Sequence, residues 1–321
     1  MSDALLVGID LGGTNCRGAL VEADGRVAAA GRRMETRIEA GREDFLARFF
    51  AFCGDLIADA DSLGRWVAGI GIGAPGVVDG SGRIVVSPNL HPLDDCLLQE
   101  AVSACCQLPV KVLNDANAAA WGEYCCGAGR SLGSFLMLTL GTGIGGGLVL
   151  DGRLWQGADG AAGEAGHLVV EPGGRLCGCG QRGCLEQYAA AGGLVRNFSE
   201  ALAAGFGSLL PTPGPKDLTA ARIAAAARDG DPAACQALAE AGRRLGQVIG
   251  AIVNLLNPAG VVIGGGLAAS LDLLLPSIEK ELQARAFALA ARRCRVVPGL
   301  LGDDAGIVGA ALMAANQLGG S

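Results

Sequence analysis

The chain has 321 residues, half of them apolar, and carries a formal net charge of −7 with a pI of about 5.0. That length suits two domains of roughly 100–200 residues each. The acidic balance, dispersed arginines and absence of a basic run argue against nucleic acid as a partner, while a local site for a small anion such as ATP stays compatible with them. No unbroken apolar stretch reaches the roughly 18–20 residues that span a bilayer: the longest, 248–263, is interrupted by Asn254, Asn257 and Pro258. No membrane partner is expected, and with no export signal ahead of the first strand pattern the expected location is the cytoplasm.

In chain order, strands are expected at 5–9, 17–21 and 26–32, the last two joined by the turn Ala23-Asp24-Gly25. A helical pattern covers 41–62, and a strand at 67–72 runs into Gly73-Ala74-Pro75-Gly76. A helix at 97–107 precedes a strand at 110–113, which ends on Asn114-Asp115-Ala116-Asn117 and passes into a helix at 118–124. The second half restarts with a strand at 135–140, the run Gly141-Thr142-Gly143-Ile144-Gly145-Gly146-Gly147, a strand at 148–150 and the turn Asp151-Gly152. A glycine-rich loop fills 157–183, and helices dominate 187–256 apart from a Pro/Gly break at 210–216. A strand at 261–263 ends on Gly264-Gly265-Gly266, followed by a helix at 272–282, a strand at 295–298 and a last helix at 305–317. Each half begins strand, glycine turn, strand, which suggests a duplicated fold.

Asp10-Leu11-Gly12-Gly13-Thr14-Asn15 lies between two strands. Glycine there removes side chains, so backbone N–H groups can close around phosphate oxygens, and Thr14 adds a hydroxyl. Asp10 beside a phosphate calls for a cation, and Mg²⁺ suits one carboxylate plus phosphate oxygens. The bland alternative is a hairpin whose glycines supply positive φ. Gly141, Gly143 and Gly146 formally match G-x-G-x-x-G, but a strand rather than a helix follows, so a dinucleotide site is disfavoured. No glycine loop is followed by Lys-Ser or Lys-Thr, so a Walker A loop is absent. Two phosphate loops, each inside a strand–turn–strand, fit an actin-like ATPase cleft better. Asp115 is either a helix cap or a catalytic carboxylate that accepts a hydroxyl proton, with its flanking asparagines on sugar hydroxyls.

Cys177-Gly178-Cys179-Gly180-Gln181-Arg182-Gly183-Cys184 is a C-x-C-x4-C run with His167 ten residues upstream. Three thiolates and one imidazole make a closed tetrahedral set, the chemistry of structural zinc. Glu164 and His167 are spaced i, i+3, and Glu186 follows two residues after Cys184, so these three are candidates to converge; each carboxylate alone is also compatible with a solvated position. The remaining nine cysteines, Cys16, Cys53, Cys96, Cys105, Cys106, Cys125, Cys126, Cys235 and Cys294, read as small apolar residues.

These motifs, from Asp10–Asn15 through Asn114–Asn117, Gly141–Gly147, Gly163-Glu164-Ala165-Gly166-His167 and Cys177–Glu186, resemble the ROK sugar kinases across almost the whole chain, and are most similar to their bacterial glucokinases. The resemblance implies an α/β fold of the actin-like ATPase (ribonuclease H-like) class, two lobes around a central cleft. The lobes are expected at 1–117, completed by the C-terminal helix 305–321, and at 118–304 with the zinc loop. It implies ATP, Mg²⁺ and a structural Zn²⁺ on His167, Cys177, Cys179 and Cys184. It makes Asp115 the base on the sugar 6-hydroxyl and Asn89, Asn114, Asp115, Glu164, His167 and Glu186 the sugar set. On the ATP side it implies Asp10, Gly12, Gly13, Thr14, Asn15, Gly141, Thr142, Gly143, Gly264, Gly265 and Gly266. Asn15 departs from a lysine frequent in the family. Glucose is the expected substrate, with N-acetylglucosamine, N-acetylmannosamine and a non-catalytic sugar sensor as alternatives. A homodimer or homotetramer is expected, and with no helix-turn-helix ahead of the first strand, no DNA partner.

Overall fold

The computed structural model describes residues 4–210 and 218–318; the break expected at 210–216 lies, apart from its first residue, outside them. The chain forms β1 (Ala4–Leu11), β2 (Asn15–Val21), β3 (Arg32–Glu35), α1 (Arg42–Ser62), β4 (Trp66–Ala74), β5 (Val77–Val78), β6 (Ile84–Val86), α2 (Leu98–Cys106), β7 (Val110–Asn114) and α3 (Asp115–Cys126). It continues through β8 (Phe135–Leu140), β9 (Ile144–Leu150), β10 (Arg153–Trp155), α4 (Glu186–Ala189), α5 (Ala191–Ala203), α6 (Ala220–Arg228) and α7 (Pro232–Leu256). The last elements are β11 (Gly260–Gly264), α8 (Leu271–Arg285), α9 (Ala288–Arg293), β12 (Arg295–Pro298) and α10 (Ala305–Leu318).

Two five-stranded sheets share one plan. Their orders are β3-β2-β1-β4-β7 and β10-β9-β8-β11-β12. In each, the first strand pairs in parallel with the fourth and the fourth with the fifth. The repetition suggested by the sequence is thus a repetition of topology. The third strand differs from expectation: it spans 32–35 rather than 26–32. The turn after β2 is held by Gly25 N–H on the Glu22 carbonyl and Arg26 N–H on Asp24. Val27 then makes only an isolated bridge to Val21, so pairing resumes at Arg32, whose guanidinium grips Asp59 of α1.

Two compact units follow. The first takes the described residues up to 133, with 147–163 and the chain from 300 onward; the second takes 134–146 and 164–299. The boundary expected at 117/118 is therefore corrected. It would cut α3, which starts at Asp115 rather than at 118 and stays whole within the first unit. The reason is backbone packing: a Cβ on Gly309 of α10 would overlap the Ala118 carbonyl oxygen of α3.

In the first unit, alternation along β1 sends Leu5, Val7, Ile9 and Leu11 into a core with Phe45, Phe49, Phe52 and Leu56 of α1. Leu6 faces the other way, with Trp121 of α3 and Ile307, Val308 and Ala311 of α10. On that face α10 lies directly on the sheet backbone, because a Cβ on Gly71 would overlap the Ala310 carbonyl oxygen. Glu123 is 1% exposed and accepts backbone N–H bonds from Ala128, Leu300 and Leu301 at 2.7, 3.1 and 2.8 Å.

In the second unit β11 is buried along its whole length, and Asp231 caps α7 by accepting from Ala234 N–H at 2.8 Å. The short α9, not expected, sits between α8 and β12. Cys16, Cys53, Cys96 and Cys294 are buried as read, but Cys105 and Cys235 are exposed. The buried residues of α2 are Leu98 and Val102, a stripe that Cys106 continues and that leaves Cys105 outside. Among the described residues no helix is long and apolar enough to cross a membrane.

Candidate functional site

Within the first unit, β1 delivers Asp10 and then turns. Gly12 N–H donates to the Asn15 carbonyl at 3.0 Å, closing the loop. Thr36, fully buried, braces it twice: its hydroxyl donates to the Gly12 carbonyl at 2.7 Å and its N–H to the Thr14 carbonyl at 2.9 Å. Asp10 pairs with Arg17 of β2 at 2.9 Å, so a guanidinium already stands beside the loop that lacks a lysine at Asn15. A Cβ on Gly13 would stand 3.2 Å from the Asn89 side chain, which brings Asn89 to this loop.

β7 and α3 meet at Asn114-Asp115. Asn114 is the N-cap: its side-chain oxygen accepts from Asn117 N–H at 3.0 Å, while its amide donates to the Gly76 carbonyl at 3.0 Å. Capping leaves one amide N–H of Asn114 for a ligand. Asp115, half-buried, occupies the first helical position and accepts from Ala116 N–H at 2.8 Å. Nearby in sequence, Asn117 is 1% exposed and its side-chain oxygen has no hydrogen-bond partner among the described residues.

Within the second unit, the loop between β8 and β9 is tight: Gly141 N–H donates to the Gly143 carbonyl at 2.9 Å. Ile144–Gly147, expected as loop, are instead strand residues of β9. The Gly264-Gly265-Gly266 turn ends β11 beside β8, and Gly265, at φ 79°, lies against the Leu140 backbone. Strand pairing alone therefore brings these two glycine turns together.

Glu186, on the first turn of α4, accepts from Ile144 N–H at 3.1 Å. It therefore braces the Gly141–Gly143 loop from one side while its other oxygen stands 3.8 Å from Cys177 Sγ. A Cβ on Gly166 would overlap the Ile144 carbonyl oxygen, so the Gly163–His167 motif also closes on the start of β9. His167 presents Nδ1 to Cys177 Sγ at 3.7 Å and Nε2 to Glu164 at 4.0 Å. Burial and the Glu186 carboxylate push the Glu164 carboxyl up, against the opposing pull of His167.

His167, Cys177, Cys179 and Cys184 place their ligand atoms within 4.8 Å of one another. Cys179 and Cys184 sulfurs are 3.7 Å apart, far beyond a disulfide bond of about 2.05 Å. A tetrahedron with Zn–S bonds of about 2.3 Å has sulfur–sulfur edges of about 3.8 Å, so the donor set fits zinc in kind, number and spacing. Backbone N–H donation from Gln181 pulls the Cys179 thiol down, whereas burial and the neighbouring thiols push Cys184 up to about 12. Three residues outside the motif make contacts on this loop and were not found by sequence reasoning: Arg175, Tyr188 and Arg244. Gln187 was also missed; its amide donates to Cys177 Sγ at 3.5 Å.

The sequence profile of the ROK family matches residues 6–317. The chain belongs to the ROK family. The glucokinase of Thermotoga maritima is 35% identical over 318 residues, covering 98% of this chain and 98% of that protein. A solved ROK family glucokinase from Streptomyces griseus, in complex with glucose and AMPPNP, superposes with a TM-score of 0.79 at 34% identity, over 97% of this chain and 99% of that one. A ROK family transcriptional regulator, a homologue of the E. coli MLC protein, superposes with a TM-score of 0.88 at 29% identity, over 98% of this chain and 78% of that one. The two like-ordered sheets of this ROK protein are those of the α/β, actin-like ATPase class.

Proposed function

We propose that this ROK protein is an ATP-dependent hexose kinase that transfers the γ-phosphoryl group of ATP to the 6-hydroxyl of glucose. The observation that carries the reading is full-length likeness to glucokinases at 33–35% identity, joined to an aspartate at the first position of α3. In the reaction Asp115 accepts the 6-hydroxyl proton, the oxygen bonds to the γ-phosphorus, and ADP leaves. Catalysis of this kind depends on positioning and charge stabilisation rather than on covalent chemistry.

Asn89, Asn114, Glu164, His167 and Glu186 are assigned to the sugar hydroxyls, and Gly12, Gly13, Thr14, Asn15, Gly141, Thr142 and Gly143 to the phosphates. Gly264, Gly265 and Gly266 are assigned to the adenosine side. Arg17 engages one oxygen of Asp10, and the other is offered to hydrated Mg²⁺, which uses few protein carboxylates. Zinc on Cys177, Cys179, Cys184 and His167 Nδ1 takes no part in the chemistry. It ties the loop together and leaves His167 Nε2 for the sugar. ATP as donor places the reaction in the cytoplasm, and the working form is a homodimer or homotetramer.

A second reading, sugar sensing without turnover, is favoured by the likeness to the transcriptional regulator. An ADP-release assay across glucose, mannose, fructose, N-acetylglucosamine and N-acetylmannosamine separates the two. Glucose should give the highest kcat/KM. A higher value for an N-acetylhexosamine reassigns the substrate, and no ADP with any sugar overturns the kinase.

A further inference from the structure

One side chain on α7 reaches the metal-candidate loop without touching any of its four candidate ligands. Arg244 is 8% exposed. A buried guanidinium is tolerated only when its donors are met, and here all three nitrogens are engaged. Nε donates to Glu240 at 2.7 Å, Nη1 to the Val170 carbonyl at 2.7 Å and Nη2 to Glu171 at 2.5 Å. Its guanidinium carbon also lies 4.9 Å from the centroid of the Tyr188 ring, within cation–π range.

Tyr188 extends the grip. Its ring is buried and also carries Arg175 at 4.4 Å, and its hydroxyl accepts from Arg175 N–H at 3.0 Å. Arg175 in turn donates to the Gln187 carbonyl at 2.6 Å and accepts Gly183 N–H at 2.8 Å. Asn197 of α5 fixes the Tyr188 carbonyl at 2.8 Å and reaches the Ala237 carbonyl of α7. The anchored points bracket the ligand candidates along the chain. Val170 and Glu171 follow His167, Arg175 precedes Cys177, Gly183 precedes Cys184, and Tyr188 follows Glu186 by two residues.

We infer that Arg244, acting through Tyr188, is a positioning residue: it holds the segment 164–188 in its native path whether or not metal is bound, and so sets where His167 and Glu186 present themselves to the sugar. The sugar half of this rests on the kinase reading; the holding of the segment does not. An arginine is required because its planar fork meets three acceptors at once and still offers a face to an aromatic ring, which a lysine cannot do.

The test compares the full-length protein with Arg244→Lys, Tyr188→Leu and Tyr188→Phe. Hydrogen–deuterium exchange is measured after chelation, and zinc release to a chromophoric chelator is followed before it. Arg244→Lys and Tyr188→Leu should exchange amides of 168–188 at least tenfold faster, with α8 and β11 unchanged, and should release zinc at least tenfold faster. Tyr188→Phe keeps the ring and should stay within about threefold of wild type in both. In steady state, the KM for glucose should rise at least fivefold in the first two variants, while the KM for ATP stays within twofold. Unchanged exchange in a folded Arg244→Lys and in Tyr188→Leu overturns the inference. So does a loss spread equally over all helices, which marks ordinary destabilisation. Because exchange needs neither substrate nor metal, it decides the clamp even if wild type releases no ADP, an outcome that would count against the kinase reading alone.

Discussion

Asp115 and His167 are held in opposite ways. Asp115 belongs to regular structure: β7 ends, Asn114 caps, α3 begins, and the helix is pressed against α10 backbone to backbone. His167 stands on a 3-residue turn inside irregular chain, and its surroundings are fixed by side chains: a cluster of sulfurs, the Arg244 fork and the Tyr188 ring. A carboxylate at a helix start inherits its position from hydrogen bonds the backbone must make anyway. A residue in a loop has no such default, and its geometry has to be supplied by cross-links, metal or polar.

Four perturbations, in falling order of effect, break or sharpen that contrast. Asp115→Asn should lower kcat by about 10²–10⁴-fold, the usual worth of a positioned base, while calorimetric affinity for glucose changes by less than about threefold; near-normal turnover removes Asp115 from the chemistry. Stripping zinc should leave the α3 region folded but lower the melting midpoint, because a ligand at about 1,000 times its Kd stabilises by about 4 kcal/mol. Metal analysis that finds less than half a zinc per chain, or a melt indifferent to chelator, would count against the metal centre. Gly71→Ala presses a methyl group onto the Ala310 carbonyl, where no flexible side chain can yield. It should cost about 1–3 kcal/mol in urea unfolding with zinc content intact. Asn114→Ala removes a cap and the bond to Gly76, so about 1 kcal/mol should be lost; an equal loss of zinc would mean that the two regions are not independently held.

Much of this was legible in the chain. The strands at 135–140 and 295–298 were read at their observed bounds: Gly133-Ser134 and Gly141 bracket the first, and Pro298-Gly299 closes the second. The four metal candidates were legible because their chemistry is rare and their spacing local. The Asp115 helix was read as starting three residues too late, since Asn-Asp-Ala-Asn reads as loop until the Asn114 cap is seen to start it. Arg244 was invisible because, Glu240 apart, the residues it joins lie more than fifty positions away, and an arginine amid an apolar helix looks like a solvated charge. Thr36 was missed for the same reason: nothing in its neighbourhood reveals that it closes on Gly12 and Thr14.

The helix α10 has a consequence for the ribosome. Residues 305–318 cover the face of the first sheet that bears Leu6 and Val21, yet they are synthesised after the whole second unit. At about 5–20 residues per second, that face waits roughly 10–35 s between the emergence of α3 and the arrival of its cover. During that interval the nascent chain displays a greasy sheet notched for a helix that does not yet exist. A chaperone that shields apolar surface has its clearest target there, and a release of the chain before residue 305 leaves a first unit that cannot close.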